Sequence, residues 1–207
     1  MSSHFRYFGE ILGAKMPSNR GRNSSAMEDE LGQSVMPTEW MERLEQPRRA
    51  LVERVGAWPE ELQARRPADG GWSALEVLEH LVRSEVGICG LVEKHLAAPQ
   101  PIGVRDRIGF AMVESRFLSP GRVKVPDAVK EILPCESLGL TEIASRWDAV
   151  RAELRMLAGR AEGCRGGVFR HPVAGWMSFE QVLRFFEVHM VHHGYQLDRI
   201  AAELGAT

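Results

Sequence analysis

From Ser178 to Leu204 the apolar positions recur in steps of three and four through Val182, Phe186, Leu197, Ile200 and Leu204, and His189 and His193 take two of the places in that stripe. The pattern predicts a long helix with one face toward a core and both imidazoles on that face. Ser178 and Gln181 stand at its start in capping-box spacing, the Ser oxygen taking a backbone N–H and the Gln reaching back. Ser73 and Glu76 repeat the signature before a second helix, expected to end near Leu96 because Pro99 and Pro101 follow. A third helix starts at Thr141, with Ile143, Trp147, Val150, Leu154 and Leu157 on one stripe and Gly159 near its end. Upstream, Leu44, Leu51, Val55, Trp58 and Leu62 give helical spacing from Thr38 to about Gln63, where Pro47 should kink or split the element.

The stretch from Gln100 to Pro134 is less regular, with a helix expected at Ile108 to Leu118 before Ser119, Pro120 and Gly121. The Gly-rich run from Gly163 to Gly175 leads to Ser178, and long alternating strand patterns joined by hairpin turns are absent. The economical architecture is all-α, a four-helix bundle over residues 37–207. Residues 1–36 read differently, rich in Ser, Asn, Gly and charge and poor in periodic apolar positions, and are expected to form an irregular N-terminal arm. Its cationic start, Arg6, Lys15, Arg20 and Arg22 against Glu10, is too short a cluster to mark a binding patch and reads as a solvated leader.

Composition narrows the function classes. A chain of 207 residues fits one well-buried domain and an appendage. A net charge of -2 offers no general attraction for nucleic acid or an anionic membrane, so neither is expected as a partner. Cys89, Cys135 and Cys164 are odd in number, widely spaced and outside any CxxC pair, which argues against a disulfide framework or a thiolate zinc site. With no apolar run long enough to span a bilayer and no secretory h-region, the expectation is a soluble cytoplasmic protein.

The candidate chemistry lies in the histidines. Residues four apart on a helix share a face with Cβ atoms about 5 to 6 Å apart, a separation two imidazoles bridge to one cation. His80, on the core-facing side of the second helix with Val77, Leu81, Ser84 and Ile88, fits as third ligand. Three neutral histidines would leave coordination positions open for water or substrate, and imidazole suits several divalent ions. Histidines satisfied within a core are the competing account, and the residue pattern alone leaves both open. His192 falls about 60° off the stripe, at its boundary; His4, His95 and His171 read as structural or solvated. HMVHH lacks the Glu that gives HExxH metalloproteases their general base. Tyr195 and Gln196 are placed to help orient a bound species.

As a set, GWS-xxE-VL-x-HL from Gly71 to Leu81, HP-xx-G from His171 to Gly175, and H-xx-HH-xx-Q from His189 to Gln196 resemble the DinB-like superfamily. The resemblance runs from Pro37 to the C-terminus. It implies an up-down-down-up bundle, often homodimeric, with a divalent ion, zinc or nickel, on three histidines that fall here on His80, His189 and His193. It further implies a small-molecule substrate and, in some similar proteins, a low-molecular-weight thiol cofactor used in S-transfer or isomerisation. The expectation is a metal-dependent enzyme in which the ion activates a thiol for attack on a small electrophile. The alternatives are a hydrolase using metal-activated water and a non-catalytic bundle that the metal stabilises. The 36-residue leader and Gly194, a glycine inside a helix, depart from the usual pattern.

Overall fold

The computed structural model describes residues 37–121, 123, 133–134 and 137–206. The expected arm, residues 1–36, lies outside them. In chain order the elements are α1 (Pro37–Gly56), α2 (Glu60–Gln63), α3 (Ala74–Leu96), α4 (Val104–Phe117), α5 (Leu140–Arg160), β1 (Phe169–His171), β2 (Gly175–Met177) and α6 (Phe179–Leu204). The described chain is mostly helical, as the periodicity predicts. α3 packs along α5 and α6, and α1 packs along the same two helices, so the four long helices enclose one apolar core. Leu44 and Val55 of α1, Leu78 and Leu81 of α3, Ile143, Trp147 and Leu154 of α5, and Phe186 and Leu197 of α6 are sealed within it.

Both capping boxes form. Ser73 Oγ accepts the Glu76 N–H at 3.2 Å while Ser73 N–H donates to Glu76 Oε2 at 2.8 Å. Ser178 and Gln181 repeat the exchange at 3.2 and 2.9 Å. These caps set where the two histidine-bearing helices begin, and thus the axial heights of His80 and of His189 and His193.

Two boundaries differ from the sequence expectation. Pro47 does not divide the first helical segment: α1 continues through it, and the break comes at residues 57–59, after Gly56 and before Glu60. Burial of Leu44, Leu51 and Val55 on either side of Pro47 outweighs the lost backbone hydrogen bond. The helix expected from Ile108 begins at Val104, because Asp106 accepts the Gly103 N–H at 2.8 Å and caps the end. Val104, Ile108 and Met112 are its exposed face, so burial gave no stripe from which to read its start.

The Gly-rich run holds a small antiparallel hairpin pairing Phe169 with Met177, Arg170 with Trp176 and His171 with Gly175. Three-residue strands carry too few positions to show alternation. A side chain closes the turn: His171 Nδ1 accepts the N–H groups of Val173 at 3.1 Å and Ala174 at 3.0 Å. Gly175 has φ +77°, and a Cβ there would collide with the Asp106 carboxylate. The same carboxylate accepts the Trp176 N–H at 3.0 Å, tying the hairpin to α4. Among the described residues no helix is long and apolar enough to cross a membrane.

A charged network runs through the interior. Glu85 on α3 and Arg151 on α5 are each 1% exposed and meet at 2.9 Å, and Glu85 also accepts the indole N–H of Trp147 at 3.0 Å. Burial pushes the Glu85 carboxyl up, against the opposing pull of the Arg151 guanidinium. Glu45 and Arg48 of α1 extend the network, with Arg48 bonded to Glu45 at 2.8 Å and to Asp148 at 2.9 Å. Three helices are thereby held by groups that tolerate only one mutual rotation, since a slipped helix would leave a buried charge unpaired.

Candidate metal centre

α3 and α6 bring His80, His189 and His193 together. All three are buried, at 2%, 5% and 5% exposure, and their offered ring nitrogens lie within 4.8 Å of one another. His189 Nε2 stands 3.3 Å from His80 Nε2 and 3.0 Å from His193 Nε2. Two nitrogens each about 2.0 to 2.1 Å from one ion at a tetrahedral angle are separated by about 3.3 to 3.4 Å, so these two pairs stand close to the spacing of ligands on a shared ion.

Proton arithmetic points the same way. His193 Nδ1–H donates to Gln196 Oε1 at 2.8 Å, which places the lone pair of the neutral ring on Nε2, facing the cluster. A ring proton on His189 Nε2 can be directed at only one of its two close nitrogens and leaves the other without a hydrogen bond, while without that proton His189 Nε2 and His193 Nε2 set lone pair against lone pair at 3.0 Å. A cation among the three satisfies every contact at once. Burial, reinforced by the neighbouring imidazoles, holds His189 and His193 well below the usual histidine range. They are therefore neutral at physiological pH, the form that ligates.

Aromatic side chains wall the cluster. Trp72, directly before the α3 cap, lies 4.8 Å between ring centroids from His80 and 6.3 Å from His193. Phe117 stacks on His189 at 5.4 Å and on His192 at 5.1 Å, and Phe185 stacks on His189 at 5.3 Å, with the two phenyl rings themselves 5.6 Å apart. His189 Nδ1 is buried against these rings without a hydrogen-bond partner. Beside His193 a cavity of about 230 Å³ opens between the 67–72 loop and α6, lined among others by Trp72, His192, Gln196 and Arg199.

The remaining histidines and the neighbours of His193 fall into place around this. His192 is buried at the cluster's edge and lines the cavity, its protonation opposed by burial and then by Arg199 and Arg116. Gln196 also lines the cavity, and its amide oxygen is committed to His193 rather than reaching only toward a bound species. Tyr195 is half-buried, two residues and so about 200° around the helix from His193, and does not line the cavity. His95 Nδ1 donates to its own helix at Leu91 O, 2.8 Å, with its ring edge-on to Trp176, and His171 closes the hairpin, so both are structural. His4 lies outside the described residues.

Sequence reasoning missed Trp72, Phe117 and Phe185 as walls, and Arg199 as a cavity residue. Arg199 has a visible signal: with His192 and Gln196 it makes a polar strip at i, i+4, i+7 beside the histidine stripe.

The sequence model described as the DinB superfamily matches residues 43–197, which include all three histidines and every long helix of the bundle in whole or in part. Neither the curated proteins nor the solved structures gave a match.

Proposed function

The chain belongs to the DinB superfamily, and from that premise we propose that it is a metal-dependent enzyme in which His80, His189 and His193 hold a divalent ion, zinc or nickel, and a low-molecular-weight thiol is activated there for attack on a small electrophile. The observation that carries the reading is the convergence of three buried imidazole nitrogens beside a cavity. When bound, a divalent ion supplies Lewis acidity that lowers the pKa of a coordinating thiol, so that the nucleophile is available near neutral pH. Three uncharged ligands leave the ion's full charge to favour an anionic partner such as thiolate.

The chain's own residues supply the rest. Gln196 fixes the tautomer of His193 and the plane of its ring. Phe117 and Phe185 keep water from the back of the cluster and strengthen every electrostatic interaction at its open side. Trp72 offers an apolar wall over His80 and His193 against which a planar electrophile can lie.

The test is a screen of small thiols against a haloarene with metal-loaded protein. Thiol-dependent turnover that His80→Ala abolishes is the expected result. Turnover of an ester or amide without added thiol would instead favour metal-activated water, and a metal-free protein that loses melting temperature but never had turnover would favour a purely structural ion.

A further inference from the structure

Among the described residues Arg199 is the one guanidinium that lines the cavity beside His193. Its NH1 donates to the backbone carbonyl of Pro120 at 3.0 Å, a neutral partner, and no described carboxylate stands within ion-pair distance of it. The cavity lining also carries two carboxylates, each engaged with the 67–72 loop: Asp69 accepts the Gly71 N–H at 2.9 Å, and Glu203, one turn after Arg199 on α6, accepts the Ala68 N–H at 2.6 Å. Half-burial in a cavity with an apolar wall at Trp72 makes a cation that is ion-paired with no described carboxylate an attractor for an anion, and a guanidinium with donors to spare grips a carboxylate in a fork.

We propose that Arg199 is the recognition residue for a carboxylate on the small molecule that enters this cavity, so that the ligand presented to the histidine cluster is an anionic, carboxylate-bearing compound. The cavity's size limits what it takes. At about 230 Å³ it falls below the roughly 300 to 1,000 Å³ of drug-sized sites, which suits a metabolite-sized acid with its carboxylate at Arg199 and its reacting end at His193. The inference rests on the proposed reading of the cluster as the reaction centre.

The experiment is calorimetric titration of the full-length, metal-loaded protein with four probes: 3-mercaptopropionate, its amide, butanoate and butanamide. Each acid should bind about tenfold to a hundredfold more tightly than its amide, the span expected of a charge-assisted hydrogen bond. Arg199→Gln should bring the acid-to-amide ratio near unity while leaving amide affinity within about twofold, and Arg199→Lys should keep part of the preference. Unchanged amide binding also shows that the variant is folded and that Arg199 does not act merely by bracing Pro120. A ratio near unity in the native protein, or one that survives Arg199→Gln, would overturn the inference. The thiol reading is scored separately, by mercaptoamide against butanamide: equal affinities would remove the thiol while the acid-to-amide ratio still decides the role of Arg199.

Discussion

At the scale of single residues, Gln196 carries a role out of proportion to its ordinary chemistry. It touches His193 Nδ1, and a ligating imidazole whose second nitrogen loses its partner is free to rotate and to change tautomer. Gln196→Met, which keeps the length and removes the acceptor, should weaken metal affinity by about 10-fold to 100-fold with little change in fold; competition against a chromophoric chelator measures it. His171 gives a pH prediction. Burial lowers its pKa to about 4, and the neutral Nδ1 accepts two backbone N–H groups of the hairpin turn. Because the folded pKa is below the unfolded value near 6.5, the unfolded chain binds the proton first as pH falls. The stabilisation is present above about pH 6.5 and is lost progressively down to about pH 4, on the order of 1 to 2 kcal/mol between pH 7 and pH 5. Urea unfolding at those two pH values should show a larger loss for the native protein than for His171→Asn; equal losses would contradict it. The histidine pair was legible because its spacing matches the helical repeat. The aromatic walls were not, since Phe117 and Trp72 reach the site from other elements and no periodicity relates them to His189.

At the scale of elements, the two helices that bear the site were the ones best read from sequence, and for a physical reason. Ser73 and Ser178 cap them through bonds local to four residues, so the signal lies within the segment itself. The hairpin and the start of α4 depend on Asp106 binding both Gly103 and Trp176, a partnership across about 70 residues of chain that leaves no local pattern. The buried ion pair lies between these cases. Glu85 and Arg151 occupy core-facing places in the stripes of α3 and α5, and opposite charges at apolar positions of two helices are a readable sign that those helices face each other. Arg151→Met should cost about 3 to 5 kcal/mol, because Glu85 would remain buried without its cation. Replacing both, Glu85→Met with Arg151→Met, should recover most of that; chemical denaturation of the three variants forms the cycle. Gly194 makes the opposite prediction. A Cβ there would meet nothing nearer than Leu51 Cδ2 at 3.9 Å, so Gly194→Ala should stabilise α6 by about 1 kcal/mol, seen as a melting temperature about 2 to 4 °C higher.

At the scale of the whole molecule, the cluster joins α3 to α6 through His80 and His189, 109 residues apart in the chain, and an ion shared between them would act as a cross-link of the bundle. An ion that binds the folded chain at one hundred times its dissociation constant adds about 2.7 kcal/mol to stability, comparable with one large buried side chain. The central claim is that His80, His189 and His193 form one binding site. Its most direct test is elemental analysis of protein purified without a histidine tag, native and with His193→Ala. The account predicts about one divalent ion per native chain, as one three-histidine site requires, and close to none in the variant. A native protein without metal, or a variant that retains it in full, would contradict the claim.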